Sequence, residues 1–213
     1  MVLRRAQEGP LRRAQDDRAL VSDLDSRLRA AVEALPRGLR DHILHVEVEA
    51  DRLAEHYGVD RERARLSALG HDLVRHLKGQ ALLDIAARYG LTPDPVELAS
   101  PVLVHGPVAA RILSLDYGVE DVELLAAVDC HTTARAGMAT LEKVLFIADK
   151  IEPGKLSRRA ELQTVYDAVL DDLDAGVLRY LDMYLEEAVQ RRWLLHPRVL
   201  EARNDLLRRR REG

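Results

Sequence analysis

Val, Ile and Thr nowhere fall into the period-two alternation that a half-buried strand needs, while Ala, Leu, Arg and Glu fill long stretches at helical spacing. The fold class expected is all-α. Pro and Gly divide the pattern into helices over 11–35, 40–57, 60–77, 79–89, 107–117, 120–130, 140–150, 158–170, 173–194 and 198–211, with Pro36 and Gly38 stopping the first. Pro93, Pro95 and Pro101 crowd one stretch, which reads as a loop carrying His105. Tyr57-Gly58-Val59, Tyr89-Gly90-Leu91 and Tyr117-Gly118-Val119 repeat one local pattern, but the segments between them share no other spacing. The pattern predicts helix ends, with Gly left-handed and the next apolar residue folding back on the last turn.

A chain of 213 residues can bury one sizeable core with added helices. No apolar run approaches the roughly 20 residues of a spanning helix, and the basic N-terminus lacks the apolar segment of a secretory signal. A cytosolic protein without membrane partners is expected. Cys130 is the only cysteine, so neither an intrachain disulfide nor a thiolate zinc cage can form. A formal charge of −4 argues against a nucleic-acid partner. The run Arg208–Arg211 reads as a solvated helix end, where cations suit the macrodipole.

Six side chains stand out against this background: His42, His71, Asp72, His105, His131 and Asp149. Imidazoles and carboxylates are ligands for first-row transition metals. On its helix His42 shares a face with Val46, Leu53 and Tyr57, which points it inward, with His45 close by. His71 and Asp72 sit in a small, apolar stretch; Gly70 would let another helix approach there, and a buried Asp needs a cation or a proton. Consecutive helical residues diverge by about 100°, so both reach one ion only if it lies between them. Asp149 ends the apolar run Leu145–Ala148, as a ligand or as a buried salt-bridge partner. His105 precedes Gly106-Pro107 at a helix start, and His131 precedes Thr132-Thr133; both suit a phosphate or a second metal.

The order H…HD…H…H…D resembles the HD-domain metal-dependent phosphohydrolases. The finer strings look like the bacterial YqeK family, symmetrical bis(5′-nucleosyl)-tetraphosphatases. They are His42-Ile43-Leu44-His45-Val46, Leu69-Gly70-His71-Asp72, Val104-His105-Gly106-Pro107-Val108, His131-Thr132-Thr133, Gly137-Met138 and Ile147-Ala148-Asp149-Lys150-Ile151-Glu152-Pro153. The resemblance covers about residues 39–156.

It implies an HD-domain helical bundle over 39–156, an N-terminal helical extension over 1–38, and C-terminal helices over 157–213 packed on the core. It implies a divalent metal, iron by preference with manganese, cobalt or zinc as alternatives, held by His42, His71, Asp72 and Asp149. A second metal near His105 and His131 is the further option. The implied catalytic residues are Asp72, His105 and His131. Arg75, His105, His131, Thr132, Arg135, Gly137, Met138 and Lys155 are expected to bind substrate. The implied reaction is attack of water on an inner phosphate of diadenosine tetraphosphate, giving two ADP. The alternatives are another nucleotide or phosphate ester as substrate, or a nucleotide-binding protein without turnover. Arg75 stands where the family pattern has Lys, and Lys155 where it has Arg; Ala134 and Ala136 replace Gly and Pro. None of these removes a metal ligand. The stripes Leu20-Leu24-Leu28-Val32-Leu35 and Val177-Leu181-Tyr184-Leu185-Trp193 suit core packing or a homodimer.

Overall fold

The computed structural model describes the backbone of residues 10–212 and the side chains of 21–211. The described residues form helices and turns, with no strand among them. The helices are α1 (Pro10–Glu33), α2 (Arg37–Tyr57), α3 (Arg61–Gly70), α4 (Gln80–Arg88), α5 (Pro95–Ala99), α6 (His105–Leu115), α7 (Val122–Cys130), α8 (Thr140–Ile151), α9 (Pro153–Leu156), α10 (Gln163–Asp171), α11 (Leu173–Arg191) and α12 (Pro197–Glu212). Two short 3-10 turns, Pro101–Val104 and Ala160–Leu162, join α5 to α6 and lead into α10.

Helices α2, α3, α6, α7 and α8 pack on one another around one core. α8 is its centre, buried at every residue from Leu141 to Ile151. Its charges are paired inside: Glu142 with Arg135, Lys143 with Asp174, and Asp149 with Lys150 and Lys155. Leu28 and Val32 of α1, Val177 and Leu181 of α11, and Val199 of α12 join the same core, whereas Trp193 is exposed. Leu20 lies outside the described side chains.

The three Tyr-Gly-apolar triplets end α2, α4 and α6. Gly58, Gly90 and Gly118 are left-handed, with φ of 66°, 73° and 72°. The following residues donate back, Val59 to Ala54, Leu91 to Ala86 and Val119 to Leu113. Four expectations need correction. Gly38 does not stop a helix but lies in the first turn of α2. The stretch before His105 is not a plain loop. Asp94 caps α5 by accepting from Val96 and Glu97, while Glu97 accepts from the Asp94 N–H, and Pro95 supplies the preset φ of a first helical residue. Residues 158–162 form a turn rather than the start of a helix, and α11 stops at Arg191 because Arg192 is left-handed.

The helix expected over 60–77 is also shorter, and this correction shapes the site. α3 ends at Gly70, and residues 71–76 are turns. His71 Nδ1 lies 2.6 Å from the Ala68 carbonyl, the acceptor that an Asp72 N–H would use if the helix continued. Released from the helix, the backbone turns tightly with Arg75 N–H on the Asp72 carbonyl. Gly70 allows α6 to come close: a Cβ there would stand 2.7 Å from Leu113 Cδ1.

Candidate metal centre

His42 comes from α2, His71 and Asp72 from the turn after α3, His105 from the start of α6, His131 from the end of α7 and Asp149 from α8. These six meet at one place. His42 Nε2 lies 3.1 Å from Asp149 Oδ1 and 3.6 Å from Asp72 Oδ2. His71 Nε2 lies 3.5 Å from Asp72 Oδ2 and 4.0 Å from Asp149 Oδ1. On the other side of Asp72, its Oδ1 lies 3.0 Å from His105 Nε2 and 3.6 Å from His131 Nε2. Asp72 is thus shared by two triads, His42–His71–Asp72 and Asp72–His105–His131, each with its donor atoms within 4.8 Å of one another.

The backbone fixes the proton positions on three of these rings. His71, His105 and His131 each place Nδ1 against the carbonyl three residues earlier, Ala68, Val102 and Val128. A carbonyl can only accept, so each Nδ1 carries the proton and each Nε2 offers a lone pair. His105 Nε2 and His131 Nε2 lie 2.9 Å apart, two lone pairs facing each other. Thr132 Oγ1 lies 3.3 Å from both.

Burial and the neighbouring charges act against each other at His71, His105, Asp72 and Asp149. Burial, opposed by Asp72 and Asp149, holds the His71 pKa down to about 3, and burial lowers His105 against the pull of Asp72. For Asp72, burial works upward, but the imidazoles around it hold its carboxyl well below the usual range. For Asp149, Lys150 and Lys155 overcome burial in the same way. No Lys or Arg of the described residues pairs with Asp72.

A divalent ion fits this donor set. His71 Nε2 and Asp72 Oδ1 are buried without a hydrogen-bond partner, and such atoms cost roughly 1–3 kcal/mol each unless a ligand satisfies them. Both point into the donor cluster. Imidazole nitrogens and carboxylate oxygens suit manganese, iron, cobalt or zinc.

Behind this cluster stands Glu152, 1 % exposed. Its Oε1 lies 3.5 Å from His42 Nδ1 and its Oε2 3.3 Å from His45 Nδ1. The carboxylate is held by the Gly154 N–H at 2.6 Å. Carboxylates behind ligating histidines orient the ring and raise its basicity. We expect Glu152→Gln to weaken metal retention by about 10–100-fold. Metal analysis after dialysis against graded chelator checks this; unchanged retention would remove Glu152 from the site.

The centre opens into a cavity of about 660 Å³. Arg75, Lys78, Lys150, Lys155, Arg158 and Arg159 line it, against the carboxylates Asp72 and Asp149, and Leu39, Leu162 and Tyr180 supply apolar wall. Of the residues that the sequence suggests for substrate, Arg75, Lys155, Thr132, His105 and His131 line this cavity. Arg135, Gly137 and Met138 do not. Arg135 is bidentate to Glu142, at 2.6 and 2.5 Å, Gly137 N–H donates to Asp205, and Met138 is buried in the core. Sequence reasoning places residues 149–155 near the polyphosphate without singling out Lys150, and assigns no role to Lys78, Arg158 or Tyr180. Lys150 Nζ bridges Asp149 to the segment of His131, 2.5 Å from Asp149 Oδ2 and 3.2 Å from the His131 carbonyl. Nothing in composition marks such a lysine. Tyr180 is one of two Tyr on α11, and only the packing of that helix turns it toward the cavity.

Cys130 is next to His131 but faces the core, with Sγ 3.4 Å from Glu142 Oε2, and burial pushes its thiol well above the ordinary range. It therefore stays protonated. Iodoacetamide at pH 8 is expected to leave it unmodified in the folded protein and to alkylate it fully in denaturant, as read by mass spectrometry.

Residues 39–154 match the HD domain family. A symmetrical bis(5′-nucleosyl)-tetraphosphatase of Staphylococcus aureus is 38% identical over 133 residues, 62% of this chain and 68% of that protein. One from Halalkalibacterium halodurans is 28% identical over 166 residues, 78% of this chain and 87% of that protein. The crystal structure of a predicted HD superfamily hydrolase involved in NAD metabolism from Clostridium acetobutylicum superposes with a TM-score of 0.82 at 30% identity, covering 86% of this chain and 97% of that one. With the His and Asp residues of the motif gathered at one centre inside the matched segment, the chain belongs to the HD domain family.

Proposed function

We propose that this protein hydrolyses diadenosine tetraphosphate symmetrically to two ADP. The observation that carries the reading is the joining of two His/Asp triads through Asp72 at the floor of a cavity walled by cations. A tetraphosphate bridge carries several negative charges and needs such a wall. The relatives named as symmetrical tetraphosphatases support the choice of substrate.

In this reading His42, His71, Asp72 and Asp149 hold one divalent ion, iron by preference, and Asp72, His105 and His131 hold a second. When bound, such ions acidify water and polarise a phosphoryl oxygen. Asp72, ionised at the junction of the triads, takes the proton of the attacking water. Arg75, Lys78, Lys155 and Arg158, all in the cavity lining, grip the phosphates, with an inner phosphorus at Asp72. The attack forms an oxygen–phosphorus bond and breaks the bridge between the inner phosphates, and the second ADP leaves. Leu39, Leu162 and Tyr180 offer apolar surface to an adenine. Arg135, Gly137 and Met138 lie outside the cavity and have no part in binding. We take 39–156 as the catalytic core and the flanking helices as its support.

The test is hydrolysis of diadenosine tetraphosphate in isotopically labelled water after anaerobic loading with iron or manganese. ADP alone, with label on a terminal phosphate, supports the reading. AMP with ATP would place the attack on an outer phosphorus and sink the symmetrical assignment. Tight binding without turnover in any of these metals would make the protein a nucleotide-binding HD protein.

A further inference from the structure

His105 and His131 present a difficulty that their own bonds do not resolve. Their Nε2 lone pairs face each other at 2.9 Å. The Nδ1 of each ring is tied to its own backbone, at Val102 and Val128, so the ring's position follows the segment that carries it. Beyond the direct packing of α6 on α7, further ties to those two segments come from far away in the chain.

We propose that His196, Arg198 and Asp205, the first just before α12 and the others on it, form a clamp that positions the His105 and His131 half of the centre. Three polar ties carry the proposal. His196 Nε2 lies 3.1 Å from Asp94 Oδ2, the cap of α5, just ahead of the 3-10 turn that delivers His105. Arg198 Nη1 lies 3.0 Å from Asp129 Oδ2, two residues before His131. Asp205 Oδ2 accepts the N–H of Gly137, in the turn that follows His131, at 3.0 Å. No tie of this kind runs from the described part of α12 to the helices that carry His42 and His71.

Asp94, Glu97 and His196 also have the composition of a metal site. Their bonds say otherwise. His196 Nδ1 accepts the N–H of Arg198, which puts the ring proton on Nε2, where it is donated to Asp94. Asp94 Oδ1 is already engaged by Val96 and Glu97, and Glu97 Oε2 by Asp94 N–H. The cluster is a closed hydrogen-bonded joint. His196 is buried, and Val199, Ala202 and Leu206 of the helix that follows it are buried in the core, so the joint adjoins a packed element. The Arg198–Asp129 pair is partly exposed, and pairs of that kind contribute little to global stability. Its position beside a ligand is what gives it leverage: small displacements of reacting groups cost far more in rate than in stability.

The proposal rests on the two-ion reading, and its test separates the two. Arg198→Ala and the double variant His196→Gln with Arg198→Ala are compared with wild type as full-length chains loaded with Mn²⁺. Arg203→Ala is the control, since it removes a 2.5 Å contact from the same helix to Asp182 of α11, away from the centre. Bound Mn²⁺ is counted by metal analysis after gel filtration, turnover is measured on diadenosine tetraphosphate, and hydrogen exchange is read by peptide. The clamp predicts that the double variant loses one ion of two, that kcat falls by about tenfold or more with KM little changed, and that exchange rises in 94–105 and 129–137 but not in 42–72. Arg198→Lys should recover part of each effect, and Arg203→Ala should show none. Unchanged exchange in 94–105 and 129–137, or equal effects in Arg203→Ala, overturns the clamp. A wild type with one ion, or with no turnover, overturns the functional reading, and exchange then judges the clamp by itself.

Discussion

Asp72→Asn is expected to lower hydrolysis of diadenosine tetraphosphate by about 10³-fold or more, the equivalent of several kcal/mol of transition-state stabilisation. No other residue belongs to both triads: Oδ2 faces His42 and His71, and Oδ1 faces His105 and His131. An amide keeps the shape but removes the charge and turns one lone-pair site into a donor. That donor would meet Nε2 atoms that can accept a proton but not give one, so the variant folds and binds itself rather than an ion. Metal at about 100 times its dissociation constant stabilises a folded protein by about 2.7 kcal/mol. For a chain of this size that is roughly 5–10 °C in melting temperature. Wild type should show that shift on adding Mn²⁺, and Asp72→Asn should not. A variant with the full shift and full turnover would remove Asp72 from the centre.

Helix content, the three Tyr-Gly ends and the inward set of His and Asp were legible from the chain alone because each is a local signal. Period, a left-handed Gly and a polar residue in an apolar stretch need no knowledge of tertiary contacts. The end of α3 was not legible in that way. Residues 61–77 have helical composition throughout, and the break at Gly70 arises because His71 occupies a backbone acceptor and α6 presses on the glycine. α5 was missed for the opposite reason: Pro93, Pro95 and Pro101 suggest a loop, yet Pro95 is well placed as a first helical residue once Asp94 caps it. Arg135 shows the limit for sites. His131 and Thr132, just before it in the chain, line the cavity, but the buried carboxylate of Glu142 engages the Arg135 guanidinium in a bidentate pair. Lys78, Arg158 and Tyr180 reach the cavity through the packing of distant helices, which no spacing along the chain encodes.

Gly106→Ala is expected to cost about 10²-fold in turnover, with a drop of roughly 3–10 °C in melting temperature. A Cβ at this position would lie 2.8 Å from the Asp129 carbonyl oxygen, 3.0 Å from that of Val128 and 3.2 Å from His131 Cε1. Two of these are backbone atoms of α7 and cannot rotate away. The first turn of α6 must therefore separate from the end of α7, at the place where His105 and His131 face each other. Overpacking of this kind costs about 1–3 kcal/mol, and the helix propensity gained by replacing Gly with Ala returns at most about 1 kcal/mol. Repulsion wins, and the displacement is spent where geometry matters most. Gly70→Ala makes the comparison: its nearest contact is 2.7 Å, but to Leu113 Cδ1, the tip of a side chain that can change rotamer. The contrast to be measured is loss of kcat and of Mn²⁺ in Gly106→Ala against near-normal values in Gly70→Ala. Equal losses in the two variants would mean that close helix packing in general, rather than the His105–His131 contact, limits the enzyme.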